Sequence, residues 1–302
     1  MTTQQQLQST KAVRLGHSLL LTLVLALASG CATPPAADSG KKLSNIPYKT
    51  GAALTGYEQQ RCVLDVYLPH SPTGFATLVW FHGGGLTMGS KDLADRDVDT
   101  PGVARRLARA GVCVVVPNYR LSPKVQFPAY IEDAAAAVAW THAHIAKHGG
   151  DANKLFIGGH SAGGYLALMV GMDASYLAKY DIPLPAVAGL IPVSGQVMTH
   201  YTVRAERGID KFSVTADEAA PVYFARKDTP PMLVLYADHD MPARAEENAF
   251  LVALLQGAGN QRVAGRLIAD RTHGSIAGKI AEENDPARRA IVEFIAATGG
   301  TH

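Results

Sequence analysis

The feature that most limits what this chain can fold into lies at residues 154–171. An apolar run (KLFIGG) enters Gly159-His160-Ser161-Ala162-Gly163-Gly164 and leaves through a second apolar run (GYLALMVG). A short apolar run that passes through closely spaced glycines into a longer one reads as strand, sharp turn and helix. Gly159 and Gly163 fit that turn because side chains there would collide with neighbouring backbone. Gly-x-Ser-x-Gly alone is common by chance. In a strand–turn–helix setting it lifts a serine hydroxyl above the edge of a sheet, and the helix start places unsatisfied N–H groups beside it. Ser161 is therefore the candidate nucleophile.

The rest of the chain supports a sheet around this turn. Strands are expected at 62–68, 77–81, 112–117, 154–158, 187–193, 232–237 and 262–268. Several are continuous apolar runs, which suits strands buried on both faces of a mostly parallel sheet. Helices are expected at 103–110 (stopped by Gly111), 130–147, 162–171, 243–255 and 287–297, the last opened by Asp285-Pro286. This alternation predicts an α/β fold with a doubly wound, mostly parallel sheet. With 302 residues, 47% of them hydrophobic, the chain can bury one large core. No second composition shift follows residue 45, so 45–302 is expected to be one domain. Residues 196–230 are longer than an ordinary connection and weakly periodic, and are read as a small cap over the strand ends.

A serine hydroxyl needs a base, an orienting acid and donors for the oxyanion that acyl transfer creates. His82-Gly83-Gly84-Gly85 follows the strand TLVWF directly. Glycines there let the main chain approach a substrate, so Gly84 and Gly85 are candidate oxyanion donors, with Ala162 as a third. His82 is read as a brace for the loop. His273 follows the last expected strand and obeys the order serine, acid, histidine, whereas His239 adjoins the candidate acid, His142, His144 and His148 fall on or at the end of a helix and His302 in a tail. The acid should follow the strand MLVLYA, where Asp238 and Asp240 both qualify. There is no CxxC and no HExxH, so neither metal nor cofactor is expected. The net charge of +2, without a dense Lys/Arg run, gives no reason to expect a nucleic-acid partner. A small ester is the expected partner.

Taken together, His82–Gly85, Asn118-Tyr119-Arg120-Leu121-Ser122-Pro123, Phe127-Pro128-Ala129, Gly159–Gly164 and Ala220-Pro221-Val222 before Asp228-Thr229-Pro230-Pro231-Met232 stand in a telling order. They resemble the esterase/lipase group of the α/β-hydrolase superfamily that carries an HGGG oxyanion loop. That group includes hormone-sensitive-lipase-like esterases and feruloyl- and acetyl-xylan-esterase-like carboxylesterases. The resemblance covers most of residues 48–298. It implies an α/β-hydrolase fold, no cofactor, and a serine carboxylesterase working through an acyl-enzyme on short-chain or small aromatic acyl esters. It favours Asp240 as the acid, with Ala237 where the pattern has glycine, and leaves Asp238 to cap the turn. Tyr119 and Arg120 are read as structural, the latter paired with Asp133. His160, Asn118 and Ser122-Pro123 depart from the hormone-sensitive-lipase pattern, and that branch's large N-terminal cap is missing, which leans toward the small-cap carboxylesterases. Two other readings stay open: an amidase of kynurenine-formamidase-like or small-peptidase type, and a non-catalytic binding lipoprotein.

The N-terminus carries a second message. Lys11 and Arg14 precede an apolar segment at 18–28 (SLLLTLVLALA), too short to span about 30 Å of hydrocarbon comfortably, which reads as an export signal. Ala28-Ser29-Gly30-Cys31 resembles a bacterial lipobox, with Ala28 where leucine is usual. The resemblance implies a signal peptide over 1–30, lipid on Cys31, a flexible tether over 31–44, and an exported, membrane-anchored protein. Cys62 and Cys113 lie in strand-like runs and are read as buried core thiols rather than a disulfide.

Overall fold

A computed structural model describes residues 40–71, 73–94 and 97–299. The expected signal peptide, Cys31 and the tether up to residue 39 lie outside the described residues.

The strands are β1 (Lys42–Pro47), β2 (Val63–Tyr67), β3 (Phe75–Phe81), β4 (Cys113–Pro117), β5 (Gly150–His160), β6 (Val187–Val193), β7 (Met232–His239) and β8 (Val263–Thr272). They form one sheet in the order β1-β2-β4-β3-β5-β6-β7-β8. The pairs β1/β2 and β2/β4 are antiparallel and the others parallel. The helices are α1 (Gly56–Arg61), α2 (Thr100–Arg109), α3 (Ala129–His144), α4 (Ala162–Met172), α5 (Ala174–Ala178), α6 (Tyr201–Glu206), α7 (Arg244–Gly257), α8 (Ser275–Gly278) and α9 (Pro286–Thr298).

The continuous apolar runs have a direct cause. Successive side chains of a strand point to opposite faces, and here both faces are covered. Val79, Phe81, Val115, Ile157 and Val234 join the core beneath α3 and α4. Their neighbours Leu78, Trp80, Val114, Phe156 and Leu235 join the core beneath α2 and α9. Cys62 and Cys113 are free thiols buried in the first of these cores.

Strand β1 begins inside the stretch read as tether: Lys42 pairs with Tyr67 and Leu43 with Val66. The boundary at residue 45 is therefore too late. As an edge strand, β1 buries none of its six residues, so its sequence lacks the apolar run that marks the others. The missed helix α1 did carry a local sign: Thr55 and Glu58 form a reciprocal capping box. The stretch between β6 and β7, read from the sequence as a small cap, holds α6 and a short 3-10 turn at Pro221–Phe224. It is tied down by Tyr165 Oη donating to Ala219 O (2.9 Å) and by Phe127 N–H donating to Glu206 Oε2 (2.9 Å).

Candidate active site

The turn between β5 and α4 holds Ser161 at φ 55°, ψ −117°, a region that L-residues rarely occupy and that costs about 1–3 kcal/mol. Packing enforces it. A Cβ on Gly163 would lie 2.0 Å from the Phe81 carbonyl oxygen, and one on Gly159 would lie 2.5 Å from the same atom. Strand β3 and helix α4 thus approach so closely that only glycine fits at both positions.

Ser161 Oγ donates to His273 Nε2 at 2.8 Å, and His273 Nδ1–H donates to Asp240 Oδ1 at 2.6 Å. The carboxylate fixes the ring's tautomer and leaves Nε2 as the acceptor facing the serine. Asp240 follows β7 and its side chain is buried. Burial alone would raise its carboxyl, but hydrogen bonds from His273 and Ser194 together outweigh burial and hold it below the usual range. Ser194, at the end of β6, donates to Asp240 Oδ2 at 2.5 Å. Asp238 instead accepts the backbone N–H groups of Asp270 (2.8 Å) and Arg271 (2.9 Å), fastening the strand end that carries His273. Of the two aspartates, Asp240 meets His273 and Asp238 meets the backbone of β8.

Nothing in the local sequence marks His160 as part of this arrangement. Its Nε2–H donates to the His273 carbonyl at 2.7 Å, so the residue before Ser161 anchors the backbone of His273. Burial, reinforced by the nearby His273 ring, pushes His160 down to about 3, so it stays a neutral donor. Ser194 was also missed; nothing local distinguishes a serine at the end of a strand.

The loop at Gly83–Gly85 is fixed from several sides. The His82 ring stacks on Tyr119 (4.3 Å between centroids), and Tyr119 Oη donates to His82 O at 2.9 Å. Arg61 clamps the carbonyls of Tyr119 and Gly89. Gly84 sits at φ 108° and Gly85 at φ 61°. Their carbonyls are occupied: Gly84 O accepts from Thr87 and Met88 N–H, and Gly85 O accepts from Thr202 Oγ1 at 2.5 Å. Neither glycine's N–H donates to any other described residue. Ala162 opens α4, where an N–H has no acceptor within the helix. A Cβ on Gly83 would lie 3.4 Å from the Cβ of Ser161, so the glycine loop and the start of α4 meet beside the serine. His82 is the expected brace, and Arg120 grips Asp133 through Nε (2.8 Å) and Nη2 (2.8 Å) as expected. Among the described residues no group of His, Cys, Asp or Glu could hold a metal ion.

A strained serine at a strand–helix turn, a histidine relay to a buried carboxylate and a glycine loop of free donors define the α/β-hydrolase class. A family model described as alpha/beta hydrolase fold matches residues 78–276, and the chain belongs to that family. It is 28% identical over 234 residues to Esterase LipC of Mycobacterium tuberculosis, covering 70% of this chain and 56% of that protein. It is 32% identical over 146 residues to Carboxylesterase NlhH of the same organism, covering 48% and 40%. The chain spans about half the length of the curated relatives it matches. Among solved structures, a truncated carbohydrate esterase from gut microbiota superposes with a TM-score of 0.70 at 19% identity, covering 88% of this chain and 99% of that one. The thermophilic carboxylesterase EstE1, cloned from a metagenomic library, gives 0.64 at 22% identity, covering 87% and 89%. Both likenesses are of fold.

Proposed function

We propose that the chain is a serine carboxylesterase that cleaves short-chain or small aromatic acyl esters through an acyl-enzyme. The observation that carries this is the continuous relay Ser161–His273–Asp240, with hydrogen bonds of 2.8 and 2.6 Å, beside the unengaged N–H groups of the glycine loop. The esterase names of the relatives support it. Ser161 Oγ bonds to the ester carbonyl carbon as its proton passes to His273 Nε2, and Asp240 steadies the imidazolium without taking the proton. The negative charge gathers on the carbonyl oxygen, where the N–H groups of Gly84, Gly85 and Ala162 receive it. The intermediate collapses by breaking the bond to the alcohol oxygen, which takes the proton from His273. Water then attacks the acyl-enzyme by the same steps, releasing the acid and restoring Ser161.

The small cap favours short acyl groups. A p-nitrophenyl ester series from acetate to palmitate should peak at acetate or butyrate. A peak at palmitate would overturn the short-chain assignment, and turnover confined to N-formyl or peptide amides would replace the esterase reading with the amidase one.

We further propose, from the lipobox-like Ala28-Ser29-Gly30-Cys31 after the apolar segment, that the protein is exported and held to a bacterial membrane by lipid on Cys31. Labelled palmitate should enter the full chain and not Cys31→Ala, which should be released in soluble form. Equal labelling of both would refute the anchor.

A further inference from the structure

Arg244, the first residue of α7, is 5% exposed. Its Nη1 donates to the Ser194 carbonyl at 3.0 Å, and Ser194 in turn holds Asp240. The guanidinium therefore lies just behind the relay. On its other side is α6: a Cβ on Gly85 would lie 2.0 Å from Tyr201 Oη, so the Tyr201 phenol closes against the oxyanion loop, within electrostatic reach of Arg244. The Arg244 Nε and Nη2 have no acceptor among the described residues, and Arg244 forms no ion pair with a described carboxylate. The nearby carboxylates are committed elsewhere: Asp240 to His273 and Ser194, Glu247 to the N–H of Val197 at 3.3 Å.

The chemistry of that open edge is specific. Nε and Nη2 form the side of a guanidinium whose two parallel N–H bonds match a carboxylate. This protein uses the same edge of Arg120 to grip Asp133. Burial disfavours the charge of such a guanidinium, and a carboxylate on its free edge would offset that cost; the edge stays reachable, since no Arg244 nitrogen is both sealed from solvent and unpartnered. Burial indeed outweighs the attraction of Glu247 and Asp240 and lowers the basicity of Arg244.

We propose that Arg244 receives a carboxylate on the acyl group, so that the preferred substrates are esters of small dicarboxylic acids that keep one free carboxylate. The turnover consequence rests on the esterase reading; the binding consequence does not. The test is calorimetric titration of the full chain carrying Ser161→Ala with an ethyl hemisuccinate, against ethyl butyrate as the uncharged analogue. The hemisuccinate should bind roughly tenfold to a hundredfold more tightly. In Ser161→Ala/Arg244→Met that ratio should collapse to about one, and Arg244→Lys, which keeps the charge but not the fork, should recover only part of it. A purely structural Arg244 would weaken both ligands together and leave the ratio unchanged. An unchanged ratio, or equal binding of the two esters before Arg244 is altered, overturns the proposal. Turnover of the same two esters by the unaltered protein reads the esterase assignment separately: failure to hydrolyse either removes that assignment while the binding ratio still decides the role of Arg244.

Discussion

Replacing Ser161 with alanine is expected to lower ester turnover by about four to six orders of magnitude while the protein stays folded. The hydroxyl is the only atom removed. Its partner His273 remains held by Asp240 at 2.6 Å and, through its carbonyl, by His160 at 2.7 Å. Glycine at the same position should be equally inactive but more stable than alanine by about 1 kcal/mol. Alanine keeps a Cβ at φ 55°, ψ −117°, whereas glycine occupies that region readily, and the relief exceeds glycine's larger entropy in the unfolded chain. Steady-state hydrolysis of p-nitrophenyl butyrate and thermal melts of the two variants check both statements. Turnover within tenfold of normal in the alanine variant would remove Ser161 from the chemistry. A glycine variant melting below the alanine one would mean that the turn stores no strain.

The second large effect is on stability against pH. His82, His160 and His200 are buried at 1%, 4% and 1% exposure. Burial pushes His82 and His160 down to about 3, and His200 well below its ordinary value. Each therefore stays neutral when folded but titrates near pH 6.5 once the chain unfolds. Between those two values the unfolded chain binds more protons, so stability falls as the pH falls. Each such histidine contributes a slope of about 1.4 kcal/mol per pH unit below pH 6.5. Asp240 acts in the same direction at lower pH: its depressed carboxyl contributes stability above about pH 3.9 that is lost as the pH falls through its folded value. Melting temperature should be level from pH 8 to 7 and drop steeply from about pH 6.5 to 4.5. Glutamine at position 82, which is neutral throughout, should make that drop shallower. A melting temperature that is flat from pH 7 to 5 would show that these rings are protonated in the folded protein.

Much of the chemistry was legible because it depends on local sequence. Gly159, Gly163 and the apolar runs on either side specify a strand–turn–helix, since only glycine permits the approach to Phe81. Gly84 and Gly85 mark a loop at positive φ for the same reason. The strands β2 to β7 announced themselves through runs buried in the cores on the two faces of the sheet, and the edge strand β8 through Val263 and Ile268, while the edge strand β1 buries none of its residues. Chain order pointed to His273, but residue type alone left Asp238 and Asp240 both open.

The tertiary structure decided what depends on distance across the chain. It joined Asp240, not Asp238, to His273, because the turn after β7 aims Asp240 into the relay while Asp238, still within β7, faces the backbone of β8. It made His160 an anchor for a residue 113 positions away and recruited Ser194 from the end of β6. It also left Arg244 with an open fork behind the relay. The sequence by itself determined the turns, the buried strands and the kinds of group available, because steric limits and hydrophobic periodicity act within a few residues. Which of those groups meet was fixed only by the sheet, whose strand order brings the ends of β5, β6, β7 and β8 together around one serine.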